Sequence, residues 1–168
     1  MDPSEPSRHH ESRAHNDGLR FETFLSNLAA RLFRVLPEEL DAAIEASLTE
    51  LAPILGGDRG GIAQFSEEGR SLFFTHPYAA PGADRRLFNA DLAAAHPWWA
   101  AELRAGRPVI VPRVPEVLPE EAVAEWAHAA ALGLKSHLAL PLKVGDEVLG
   151  AAETPRDLLR AIVAGAPV

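Results

Sequence analysis

The side chains with most chemistry to offer are seven histidines, the carboxylates near some of them, and three tryptophans. Glu125 and His128 stand at i, i+3, which on a helix is one half of a carboxylate-bridged metal motif. No second copy accompanies it, and a solvated pair on the outer face of a helix explains the spacing more simply. His76 and His137 fall in strand-like stretches and could meet across a sheet. Two imidazoles converging in a cleft would suit a ligand or a metal; partly buried imidazoles bonded to backbone would look the same in sequence. His9, His10 and His15 lie in a polar N-terminal segment and read as chance members of a tail. Gly56-Gly57-Asp58-Arg59-Gly60-Gly61 suggests a phosphate loop, but it lacks the lysine and hydroxyl and follows a helix. A helix stop followed by a tight strand entry accounts for it.

Other chemistries are excluded by composition. There is no cysteine, so disulfides, thiolate metal sites, cysteine nucleophiles and thiol redox chemistry are impossible. The G-x-S-x-G, G-x-x-x-x-G-K-[ST] and H-E-x-x-H patterns are absent. No catalytic set and no metal set is assigned, and an enzyme is not expected. The net charge is −8, and Arg104, Arg107 and Arg113 are interleaved with Glu102, Glu116, Glu120 and Glu121. Binding nucleic acid would need a basic stripe, so neither nucleic acid nor an anionic membrane is expected as a partner. No apolar run is long enough to span a bilayer and no secretory signal is visible, so the cytoplasm is the default location.

These residues must be held by elements that the periodicity outlines. Residues 1–20, rich in Ser and Pro, read as a disordered tail, leaving 21–168 as one domain. Phe21, Phe24, Leu25, Leu28 and Leu32 mark one face of a helix. A second helix opens at Pro37, carries Leu40, Ile44, Leu48, Leu51 and Leu55, and stops at Gly56-Gly57. Residues 61–66 and 70–78 read as a hairpin, with Pro77 marking an edge strand or a strand end. Asp91 could cap a helical turn, and Pro97 opens a helix carrying Trp98, Trp99 and Leu103. A short strand at 108–112 follows. The next helix would bury Val123, Trp126, Ala127 and Ala130 and end at Gly133. Residues 136–142 and 148–152 form a second hairpin, and residues 157–164 a last helix. This order predicts an α+β domain with a mostly antiparallel sheet of five to six strands. The N- and C-terminal helices would pack on one face, leaving the other for a pocket.

The succession FETFLSNLAARLFRVLPEELDAAIEASLTELAPILGGDRGGIAQFSEEG, HPWWAAELRAGRPVIVPRVPEVLPEEAV and LGLKSHLALPLKVGDEVLGAA resembles a GAF domain, as found near bacterial sensor kinases, over roughly residues 21–152. The last stretch is the most typical, with a strand ending in Pro-Leu, a glycine turn and Val-Leu-Gly. The chain departs from the pattern after Gly150, where Glu153-Thr154-Pro155 would shorten the final strand. The resemblance implies a non-enzymatic sensory module of bacterial signal transduction, including two-component systems. It would bind a small ligand and act on a signalling kinase or regulator. It also implies that Trp98, Trp99 and Trp126 cover the pocket face. Phe65, Phe74, His76, Tyr78, Trp99 and His137 would then line an aromatic site for a flat ligand. The cofactor is unknown, but covalent bilin attachment through cysteine is impossible. The alternative reading is a ligand-free interaction module in which Phe21, Phe24, Leu28 and Leu32 pair with their copies in a homodimer.

Overall fold

The computed structural model describes residues 5–114 and 116–154. Helix α1 (Glu5–Leu32) is followed by a short 3-10 turn (Pro37–Glu39) and α2 (Leu40–Leu55). Strands β1 (Arg59–Phe65) and β2 (Leu72–Ala79) come next. The middle of the chain holds a 3-10 turn (Arg86–Asn89), α3 (Leu92–Ala95), α4 (Pro97–Arg104), β3 (Val109–Val111) and α5 (Val123–Leu132). The hairpin of β4 (His137–Val144) and β5 (Glu147–Thr154) completes the described chain. Helix α1 begins at Glu5, inside the segment that reads as a tail from composition. The expected C-terminal helix at 157–164 lies outside the described residues.

The sheet is open, in the order β2-β1-β5-β4-β3, and each neighbouring pair is antiparallel. Pro77 falls on the edge strand β2, where its missing N–H costs least. Strand β5 is longer than its residue types suggest. Gly61 pairs with Glu153, and Leu138 with Thr154, so Glu153 and Thr154 belong to the ladder rather than to a loop.

One face of the sheet carries Ala63, Ala151, Ala139, Val109, Val111 and Leu72, all buried, with α3 and α4 packed over it and α5 against those two helices. The small alanines at the sheet centre let Trp99 and Leu103 of α4 approach closely. Helix α2, with α1 against it, packs on the other face over β1 and β2. The N-terminal helices therefore lie on one face and the middle helices on the other, as the element order suggests, while the expected place of the C-terminal helix falls outside the described residues.

Two features position the site. Asp91 Oδ1 accepts from the backbone N–H groups of Ala93 (2.9 Å) and Ala94 (3.4 Å) and from that of Leu72 in β2 (3.0 Å). It thus caps α3 and ties it to the sheet edge. These backbone donors, Leu72 N–H foremost, hold its carboxyl below the ordinary aspartate range. The second feature is a bulge in β2. Ile62 pairs with His76 but Ala63 pairs with Phe74, so Thr75 is an extra residue in the ladder.

Candidate functional site

Between the inner sheet face and the start of α4 lies a small, partly open cavity of about 30 Å³. Arg59 and Gly60 of β1, Phe74 of β2, His137 of β4 and Glu153 of β5 line it from the sheet. His96 and Trp99 line it from the α4 side, with Leu87, Phe88 and Leu134 closing the remainder. Gly60 and Gly61 enter β1 with φ of 152° and 146°, values that only glycine adopts easily. A Cβ on either would strike backbone carbonyl oxygen, that of Glu153 or of His76. The glycine-rich loop therefore serves sheet geometry. Its first glycine, Gly56 (φ 67°), caps α2 in the left-handed conformation.

The aromatic rings form one stack. The Trp99 indole lies 3.9 Å from the His137 ring at 4° and 4.3 Å from the His96 ring at 28°, centroid to centroid. His128 approaches His96 at 4.7 Å. His96, Trp99 and His137 are 3%, 4% and 5% exposed. Burial drives both imidazoles towards neutrality. His96 is pushed down to about 3 by desolvation, with His128 and His137 adding to the effect. His137 is pushed down to about 3 by desolvation alone. Burial acts in the opposite sense on Glu153, raising its carboxyl to about 7.

Glu125 is fully buried, not solvated. Its Oε1 accepts from the Trp98 N–H (2.7 Å) and the Trp99 N–H (3.2 Å), the open donors at the N-terminus of α4. A carboxylate there satisfies two donors and sits at the favourable end of the helix dipole. This contact turns α5 away from its expected orientation. Ala122, Glu125 and Ala129 point inward, whereas Trp126 is 45% and Val123 69% exposed. Hydrophobicity alone picks the wrong face because the partner of Glu125 lies 27 residues earlier in the chain.

Of the residues expected to line an aromatic site, Phe74, Trp99 and His137 share the cavity. Phe65 lies on the same sheet face but under Arg104, whose guanidinium carbon is 5.0 Å from its ring centre. His76 and Tyr78 do not reach the cavity. The Thr75 bulge reverses the alternation, so Phe74 shares a face with Ala63 while His76 shares the opposite face with Ile62. There His76 Nε2 lies 3.2 Å from Asp41 of α2. His76 and His137 therefore do not meet. Arg59, His96 and Glu153 also line the cavity and were not expected there; Arg59 drew attention only as a member of the glycine-rich loop and Glu153 only as a strand end. Among the described residues, no three His, Asp or Glu side chains converge in a way that could hold a metal ion.

Residues 37–161 match the GAF domain family. The chain belongs to that family. The GAF fold is found again in solved structures. The phycocyanobilin-bound GAF domain of a cyanobacterial phytochrome superposes with a TM-score of 0.65 at 22% identity, over 84% of this chain and 87% of that one. A phycoerythrobilin-bound GAF domain from a cyanobacterial phytochrome gives 0.65 at 22% identity, covering 88% and 91%. The Staphylococcus aureus NreA protein, in a form mutated in its nitrate binding site, gives 0.53 at 19% identity, covering 70% and 86%. At such identities the likeness is one of fold. No curated protein matches the chain. Among the described residues of this GAF domain, no helix is long and apolar enough to cross a membrane.

Proposed function

We propose that this GAF domain is a non-enzymatic sensory module of bacterial signal transduction. It takes a small ligand into the cavity between the sheet and the start of α4 and passes the change to a signalling kinase or regulator through its terminal helices. The observation that carries the reading is the cavity itself. It is walled by aromatic rings, and it sits on the sheet face opposite α1 and α2. A ligand there touches β1 and β2 on one side while α2 packs on their other side, so a shift of these strands is felt by the helices. The relay requires the ligand to bind two helix arrangements with different affinities. That nitrate and bilin sites occur in neighbours of the same fold lends support to a ligand in this one.

The test is native mass spectrometry of the purified chain, followed by thermal melts against a panel of charged and neutral small molecules. A retained mass, or a ligand that raises Tm and alters amide exchange in α2, supports the reading. No bound mass and no change in Tm across the panel overturns it.

A second reading is a ligand-free homodimer built on α1. Phe24 is buried within the protomer, but Phe21 and Leu32 of the same stripe are exposed, as is Leu25 beside them. Sedimentation at high concentration decides: a monomer overturns this reading, and a dimer dissociated by Leu32→Glu supports it.

A further inference from the structure

Helix α5 turns its more apolar face outward. Glu125 and Ala129 are buried against the neighbouring helices, whereas Val123 and Trp126 are 69% and 45% exposed, with Ala127 and Ala130 open beside them. These four stand at i, i+3, i+4 and i+7, one stripe along ten residues of helix. A tryptophan amid exposed apolar surface with charges at its ends marks an interaction surface. The charges around the stripe are sorted by sign. Glu120 and Glu121 are exposed just before the helix, and Lys135 is exposed just past its left-handed cap Gly133. None of these three has an ion-pair partner among the described residues. Glu116 at the first end is balanced by Arg113, and Arg86, which reaches the Ala131 carbonyl oxygen at the other, by Asp84. The net charge is therefore negative where α5 starts and positive where it stops.

We infer that this face of α5 binds a second copy of the chain, the two helices lying antiparallel across a twofold axis. The same signs suit the dipole of a single helix, but together with the stripe they make the face complementary to itself. A twofold axis brings the acidic end of each α5 to the basic end of the other. A parallel pairing sets acid beside acid, and a partner of one charge sign complements one end only. Side-chain size fits as well. With the axis between positions 126 and 127, Trp126 meets the partner's Ala127 and Val123 meets the partner's Ala130, each larger side chain against a small one. Glu120 then falls opposite the partner's Gly133, two residues from the partner's Lys135. The interface is separate from the α1 pairing considered above and needs no ligand. Ten helical residues a side make a small contact, below about 1,200 Å² in all, so association in the micromolar range is expected.

The experiment is sedimentation equilibrium of the whole chain at concentrations up to about 1 mM, with variants at exposed positions that leave the core untouched. A reversible dimer is the expected result. Trp126→Glu should raise its Kd about tenfold or more, as loss of a central aromatic anchor does. Two charge variants test the orientation. Glu120→Lys with Glu121→Lys in one chain, and Lys135→Glu in another, should each weaken self-association by setting like charges together. An equal mixture of the two should restore the dimer, because every contact across the axis again joins opposite signs. A monomer at the highest concentration overturns the proposal, and so does a dimer that Trp126→Glu leaves intact. A mixture no better associated than its two components overturns the antiparallel arrangement. If Leu32→Glu dissociates the dimer and Trp126→Glu does not, the α1 pairing stands and this one falls.

Discussion

Glu125 shows how much one side chain sets in this domain. It looks like a surface acid on an alanine-rich helix, yet it is the only described side chain that joins α5 to the backbone start of α4 by hydrogen bonds. Glu125→Ala would leave the Trp98 and Trp99 N–H groups buried and unpaired. The expected loss is about 2–4 kcal/mol, from the desolvated donors and the void together. Glu125→Gln keeps an acceptor oxygen and should lose clearly less. Urea denaturation of both variants provides the check, and equal losses would show that Oε1 is not what matters. Because the indole of Trp99 stacks on two imidazoles, the alanine variant should also disturb the His137 ring resonances. The resemblance to a GAF domain, which places the middle helices over the pocket face, is what marked Phe74, Trp99 and His137 in the sequence, and these three share the cavity. The places of Arg59, His96 and Glu153 in the cavity wall went unread, since they depend on burial and on register, which no local pattern encodes.

Elements were more legible than sites. Helix α2 announces itself through Pro37, an apolar stripe and Gly56, and the Asp91 cap of α3 follows from residue type and position alone. Both are local signals, acting within one turn of chain. The inward face of α5 and the true length of β5 were not legible, because both are decided by partners distant in sequence. Strand β1 carries a constraint that can be measured. Gly61 adopts φ 146°, and a Cβ there would run into the His76 carbonyl oxygen of β2. Gly61→Ala should therefore cost at least about 2–3 kcal/mol, combining backbone strain with displacement of the hairpin. Gly69→Ala offers the control. It too has positive φ (66°), but its Cβ would meet nothing within 4 Å, so it should lose only the backbone part. Thermal melts of the pair separate the two contributions.

For the molecule as a whole, the shifted titratable groups make stability depend on pH. His96 and His137 resist protonation when folded, so their contribution is full only about a unit above 6.5 and is lost as pH falls towards 3. Glu153 works in the opposite direction. Its folded carboxyl is raised from 4.5 to about 7, so stability declines as pH rises through that interval. Between about 4.5 and 6.5 the two imidazoles outweigh the one carboxyl, and stability rises with pH. Near pH 7 the residual protonation of the two unfolded imidazoles and that of folded Glu153 nearly cancel, so stability levels off. Urea denaturation from pH 5 to 8 should show a rise that flattens near pH 7. Glu153→Gln removes the opposing slope and should steepen the rise between pH 5 and 7; an unchanged slope in the variant would show that the Glu153 carboxyl does not oppose the imidazoles.

The extra residue in β2 has a consequence of its own. Thr75 acts as a frame shift between two stretches of strand, each with its own rule for which residues face inward. Removing Thr75 would fuse the stretches into a single uninterrupted frame, with Phe74 still inward and His76 still outward. The loss would be confined to the hydroxyl contacts with the Ile62 carbonyl oxygen and His76 Nδ1. Deleting Phe73 instead would throw Leu72 out of step, expelling a core residue that is 2% exposed. A cooperative melt near the parent temperature for the first deletion, and its collapse for the second, would show that this strand tolerates shortening at one address only.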